Sequence, residues 1–189
     1  MDIYEAIHQR RSHRMYKPEM PPKEALDRVI DAALWAPSGT NAQAWEITVM
    51  AGKVRDEFVE LVSGAIKSLL PIMQKVGVPE KGQELVMKFF KNLGGAPVVI
   101  AVTVWQWGDA TGAANIQSGS AMMQNMLLAA HAEGLGTSWM TAGSLVEKEV
   151  LEFLGKTDQQ LLAITPIGYS AKEPPVPPRK EREVRWLGF

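Results

Sequence analysis

Two short segments hold the residue types that could do chemistry. Arg10-Arg11-Ser12-His13-Arg14 gathers three guanidinium groups and a hydroxyl where the helical pattern of residues 2–9 runs out. Guanidinium forks match phosphate oxygens bidentately, and a hydroxyl adds a donor at little steric cost, so the segment suits an anion. The second segment, Ala36-Pro37-Ser38-Gly39-Thr40-Asn41-Ala42-Gln43-Ala44-Trp45, is a polar loop that leads into a strand. Gly39 permits a close backbone approach there, and Ser38, Thr40, Asn41 and Gln43 bring side-chain donors and acceptors. Together the two segments offer what a phosphorylated planar ligand needs. Each also has a plain reading: a solvated basic helix end that meets the helix dipole, and an ordinary helix-to-strand loop. On the residues alone both readings stay open.

Other constellations are weaker. Gly134-Leu135-Gly136-Thr137 begins like a dinucleotide fingerprint but lacks the third glycine and follows a helix instead of a strand. A turn of this kind can still set backbone N–H groups against a planar ligand. His8, His13 and His131 are scattered, with no acidic partner at metal-ligand spacing, so no metal is expected. No Gly-x-Ser-x-Gly elbow and no Walker sequence is present. Trp105, Trp107 and Trp139 stand near breaks in the pattern, where one of them could line a flat apolar pocket; the default for each is core.

The elements that must position these residues are readable from periodicity. A helix over 2–9 is capped by Asp2. A second, about 23–35, carries Leu26, Val29, Ile30, Ala33 and Leu34 on one face and stops before Pro37, because a residue ahead of proline is pushed out of the helical region. Strands are expected at 45–50, 98–105 and about 160–168. Helices are expected at 54–70, about 80–92, 113–132 and 145–154. Residues 71–95, punctuated by Pro71, Gly77, Pro79, Gly82 and Gly94-Gly95, form a candidate flap. The helix 113–132 is apolar nearly all round, which requires burial in the core or at a subunit interface. Few, irregularly spaced strands among helices favour α+β over a regular doubly wound sheet.

Composition bounds the partners. With 189 residues the chain reads as one domain, 1–189, able to bury a core without staples. A net charge of −1 gives no electrostatic case for nucleic acid. The absence of cysteine removes disulfides, thiolate metal sites and thiol nucleophiles. The N-terminus is unlike a signal peptide, and the longest apolar run is too short to span a bilayer. A soluble, cytoplasmic protein is the expectation.

Four motifs in order resemble the FMN-dependent nitroreductases. Arg10-Arg11-Ser12-His13-Arg14 is similar to their R-R-S-x-R opening, and Ala36 to Trp45 to their A-P-S-x-x-N-x-Q-P-W loop. Gln124-Asn125-Met126-Leu127-Leu128-Ala129-Ala130, running into Gly134-Leu135-Gly136-Thr137, resembles their central helix and following turn. Pro166-Ile167-Gly168-Tyr169, with Arg179-Lys180 later, resembles their closing segment. Ala44 departs from the usual proline before the tryptophan.

The resemblance implies a central, mainly antiparallel sheet flanked by helices, and a homodimer with FMN at the interface. The C-terminal tail, 170–189, would embrace the partner. It further implies that Arg10, Ser12 and Arg14 hold the phosphate, ribityl chain and pyrimidine edge, and that Arg11 contacts backbone. Pro37, Ser38 and Gly39, with Asn41 nearby, would reach the flavin from the other subunit. Trp139, Met140 and Thr141 would lie along the ring, and Arg179, with Lys180 as alternative, would hold the phosphate. No residue is assignable to the mid-chain contact with the pyrimidine edge. The implied activity is ping-pong transfer from NADH or NADPH to a nitroaromatic, quinone or similar planar oxidant, with no protein acid or base assigned. The alternatives are an iodotyrosine-deiodinase-type dehalogenase, for which the flap offers Glu84 and Lys88 but no tyrosine, a flavin-fragmenting enzyme, and a non-enzymatic flavin protein.

Overall fold

In the computed structural model, which describes residues 1–106 and 108–188, four antiparallel strands form the centre. They are β1 (Trp45–Ala51), β2 (Val98–Trp105), β3 (Gly136–Thr137) and β4 (Gln159–Gly168), in spatial order β1-β2-β4-β3. Around them lie α1 (Ile3–Gln9), α2 (Lys23–Leu34), α3 (Gly52–Ser63), α4 (Ile66–Lys75), α5 (Glu80–Phe90), α6 (Gly108–Ala132) and α7 (Glu147–Leu154). The expected α+β class, with an antiparallel sheet flanked by helices, is what the chain adopts. Trp107 and Phe189 lie outside the described residues, and with Trp107 goes the suggestion that it lines a pocket.

β2 explains the architecture. It pairs with β1 on one side, Trp45 opposite Val104 through Ala51 opposite Val98, and with β4 on the other. Its residues alternate between two cores, as a period-two strand must. Val98, Ile100, Val102 and Val104 pack with Val29 and Ala33 of α2 and Met122, Met123 and Met126 of α6. Val99 and Ala101 join Phe58 and Val62 of α3, Phe89 and Phe90 of α5, and Val150 of α7. A strand covered on both faces reads as the continuous apolar run seen in the sequence.

Local signals fix the helix ends. Asp2 accepts from the Glu5 N–H at 2.9 Å while Glu5 accepts from the Asp2 N–H at 3.0 Å, a full capping box. α6 closes with Gly134 at φ +75, the Gly134 N–H donating to His131 O and the Leu135 N–H to Ala130 O. That is the double bond set of a Schellman motif, which only a left-handed residue at this position allows. The single helix expected over 54–70 is two. Gly64 and Ala65 donate to carbonyls three residues back, Leu61 and Val62, and this tightened turn re-aims the chain into α4. α6 also begins earlier than expected, at Gly108.

After α1 the chain stays extended and adds itself to the end of the sheet. Ser12 bridges Thr137 in parallel, and Tyr16 bridges Ser170. Residues 173–186 at the other terminus have no regular structure and are largely exposed. Among the described residues no helix is long and apolar enough to cross a membrane.

Candidate functional site

The Arg10–Arg14 segment is not a solvated helix end. His13 N–H donates to Thr137 O at 2.8 Å, Tyr16 N–H to Gly94 O at 2.9 Å, and Lys17 N–H to Tyr169 O at 2.9 Å. The buried Tyr16 hydroxyl donates to His13 O at 2.7 Å, and its burial pushes the phenol up from its ordinary value. Two glycines make the approach possible. A Cβ on Gly94, at φ +70, would stand 2.4 Å from Arg14 O, and one on Gly136 would stand 2.7 Å from His13 Cγ. The Gly136 of the Gly-Leu-Gly-Thr turn therefore serves to seat His13, and its neighbour Thr137 is spent on the sheet.

Docking the segment gathers charge of one sign. Arg10, half-buried at the end of α1, is held below its ordinary value by burial first, then by Arg11 and Arg179. The tail's Arg179 is thus near enough to Arg10 to act on it electrostatically. None of these three, nor Arg14, has a carboxylate within ion-pair distance among the described residues. Arg11 ties down the helix end through Nη1, to His8 O at 2.6 Å and Arg10 O at 2.8 Å, while its Nε is buried without a partner. Converging cations without an anion fit a phosphate, which would relieve the repulsion and restore the charge-assisted bonds.

Two of the three histidines, His13 and His131, far apart in sequence, lie beside this cluster and near enough to act on each other electrostatically. His13 Nδ1 lies 2.8 Å from Ser170 Oγ. Burial lowers His13, with Glu173 opposing and His131 and Arg10 adding to the shift. His131, at the end of α6, is lowered by burial and then by Arg10 and Arg11.

Next to the cluster lies a cavity of about 510 Å³, in the range of small-ligand sites. Ser12, Arg14, Met15, Tyr16 and Gly94 form one side, Leu85, Lys88, Phe89 and Asn92 a second, and Ala171–Pro175 a third. Gly94, Asn92 and the start of the tail were not assigned from the sequence. The Gly94-Gly95 pair was a visible signal, but nothing local says what a glycine must let past. The candidate flap, 71–95, holds the second half of α4 and all of α5, anchored by the buried Met73, Phe89 and Phe90.

The Pro37–Asn41 loop is elsewhere. Its Gly39 N–H reaches Ser118 Oγ on α6 at 3.4 Å, while Pro37, Gly39 and Asn41 are exposed. Ser118 and His131 are separated by ~20 Å of helix, so the loop sits near the middle of α6 and the arginines at its C-terminal end. Thr40, Asn41 and Gln43 all have positive φ, at 53, 57 and 47. For β-branched Thr40 this is a strained conformation, of the kind that persists where structure over-determines it. Ser38 Oγ helps to hold it by accepting the Gln43 N–H at 3.0 Å.

Of the third group, Met140 is buried and both its backbone groups pair with Ile164. Trp139 is half-buried and Thr141 exposed, so these two have surface to offer. None of Trp139, Met140 and Thr141 lines the cavity, and Lys180 is exposed on the tail.

The model of the Nitroreductase family matches residues 7–169. A protein of Methanothermobacter thermautotrophicus, provisionally named an NADH dehydrogenase/NAD(P)H nitroreductase, is 29% identical over 177 residues, 92% of this chain and 80% of its own. The iodotyrosine deiodinase of Thermotoga neapolitana is 28% identical over 99% of this chain and 98% of its own. The crystal structure of a nitroreductase with bound FMN from Desulfitobacterium hafniense superposes with a TM-score of 0.77 at 21% identity, covering 97% of each chain. With the family model spanning the sheet, α6 and both flavin-type motifs, the chain belongs to the FMN-dependent nitroreductase family.

Proposed function

We propose that this protein is a homodimeric, FMN-dependent NAD(P)H oxidoreductase that reduces nitroaromatics, quinones or similar planar acceptors. The observation that carries the reading is the convergence of Arg10, Arg11 and Arg179, unneutralised, beside a cavity lined by Ser12 and Arg14. Arg10 and Arg179, with Lys180 as the alternative to Arg179, take the phosphate. Arg11 holds the end of α1 so that Arg10 faces it. Ser12 binds the ribityl chain. Arg14 lies at the pyrimidine edge, where a cation stabilises developing negative charge. Trp139 and Thr141 flank the ring. When bound, FMN supplies two-electron transfer from a nicotinamide to an oxidant; the protein contributes binding, orientation and electrostatics. One cavity serves donor and acceptor in turn, so no ternary complex forms and double-reciprocal plots should be parallel.

The second copy supplies Pro37–Asn41. In the proposed dimer, a two-fold axis crossing α6 sets the Ser118 region of one helix against the C-terminal part of the other, which brings the loop of one subunit to the arginines of the other. Surface area supports the assembly. The chain exposes 11526 Å², against roughly 8,900 Å² for a compact monomer of this length. Ile3, Tyr4, Leu34 and Trp35, the last 81% exposed, are among the apolar side chains left outside, as are Val184 and Leu187 of the tail.

The test is direct. Purified protein should be yellow, with about one FMN per chain, and anaerobic NADH or NADPH should bleach it. A colourless protein that cannot be reconstituted overturns the reading. A yellow protein that neither nicotinamide reduces leaves only a flavin carrier.

A further inference from the structure

Ser12 and Arg14 line the cavity, and His13 between them does not. Neighbours along an extended segment point to opposite sides, and His13 is buried, only 8% exposed. The backbone bond to Thr137 O and the close approach to Gly136 ask only for a side chain that fits. The imidazole adds a directed contact. Its Nδ1 lies 2.8 Å from Ser170 Oγ. The Ser170 hydroxyl has a single proton and donates it to Lys172 O at 2.9 Å. Towards His13 it therefore accepts, and the ring carries a proton on Nδ1.

These contacts lie where the chain leaves the body of the fold. Lys17 N–H donates to Tyr169 O at 2.9 Å and Ala171 N–H to Met15 O at 3.0 Å, with Tyr16 bridging Ser170 between them. Past this paired edge, residues 173–186 have no regular structure. Ala171–Pro175 form one wall of the cavity, and Arg179, a few residues on, acts electrostatically on Arg10. An irregular chain end loses conformational entropy when one of its side chains is held in place. Fixing its point of exit beforehand reduces that loss. Resting on the reading of Arg10 and Arg179 as phosphate ligands, we propose that His13 is a positioning residue for the cofactor phosphate: its Nδ1–H bond to Ser170 fixes the exit of the tail and so presents Arg179 beside Arg10. His13 acts through Ser170, from behind the wall of the cavity.

The experiment titrates full-length protein, freed of flavin, with FMN and with riboflavin. Ser170→Ala and His13→Leu should each weaken FMN about three- to tenfold, the size of one hydrogen bond, and leave riboflavin nearly unchanged. His13→Asn, whose amide can donate from the place of Nδ1, should bind FMN as the parent does. In an Arg179→Ala background Ser170→Ala should cause no further loss, because the residue that the tie positions is gone. Hydrogen exchange over residues 170–175, measured without flavin, should speed up in Ser170→Ala and His13→Leu and stay parental in His13→Asn. Equal losses for FMN and riboflavin overturn the proposal and leave His13 a residue of the fold alone. Additive losses in the Arg179→Ala background overturn it too, as does exchange over 170–175 that neither variant alters. A parent protein that binds no FMN counts against the proposed function instead, and the exchange comparison still decides whether His13 holds the tail.

Discussion

The arginine segment and the proline-serine-glycine loop, set ~20 Å apart along α6, are built on opposite principles. The first is over-determined by its own chain. Tyr16, Gly94, Gly136 and Thr137 all fix where Arg10–Arg14 lies. The second holds three residues at positive φ and presents them outward, with one long hydrogen bond to α6 beneath Gly39. The loop is held mainly by its own local hydrogen bonds and faces outward, as the proposed contact with a second subunit requires. The contrast fits the proposal that one half of the site is assembled by folding and the other half by association.

Glycine substitutions sharpen this contrast most. Gly94→Ala drives a Cβ to 2.4 Å from the Arg14 carbonyl at φ +70. It should cost about 3–4 kcal/mol, combining left-handed strain with overpacking, and chemical denaturation would measure it. Gly39→Ala meets nothing within 4 Å in its own chain, so stability should change by less than about 0.5 kcal/mol. FMN affinity should nevertheless fall if, as proposed, the cofactor bound by a second subunit fills that space. An equal loss of stability in both variants would erase the distinction between the two regions.

Replacing Arg10 or Arg179 by alanine comes next. In the proposed site each removes a charge-assisted bond to the phosphate worth roughly 1.5–3 kcal/mol, about ten- to a hundredfold in FMN affinity. Riboflavin, which lacks the phosphate, should bind variants and parent about equally. If riboflavin loses as much as FMN, the arginines act through folding and not through the phosphate.

Much of this was legible in the sequence. The capping box at Asp2, the glycine stop of α6 and the doubly buried β2 are local patterns with one physical outcome each. The two flavin-type motifs were visible as chemistry, though neither stood alone. What could not be read was which groups share a space. His13 and His131 lie near each other only because the first segment docks against the end of α6. The cavity joins residues near 14, 88 and 172, whose proximity depends on the sheet order. Gly64-Ala65 splits the expected helix through a tightened turn, a choice that propensity leaves nearly neutral.

The smallest expected effect is one of pH, and it belongs to the arginine end alone. His13 and His131 are both held below the ordinary histidine value, chiefly by burial. The unfolded chain therefore binds protons that the folded one refuses. Their contribution to stability is present above about pH 6.5 and is lost as pH falls below it. The Tm of the FMN-free protein should drop by a few degrees between pH 8 and pH 5.5, and His13→Asn should flatten the slope. A Tm that rises over the same range would reverse the sign and contradict the burial argument.

The claim that one subunit's arginines work with the other subunit's loop is tested most directly by complementation. A chain carrying Arg10→Ala and Arg179→Ala, and a second carrying Ser38→Ala, Gly39→Val and Asn41→Ala, should each bind FMN weakly as homodimers. Co-expressed with different affinity tags and purified through both, the heterodimer should hold one intact site out of two and bind close to one FMN per dimer with nearly parental affinity. If the heterodimer binds FMN no better than either variant alone, the two regions do not meet across the interface, and the account of the site is wrong.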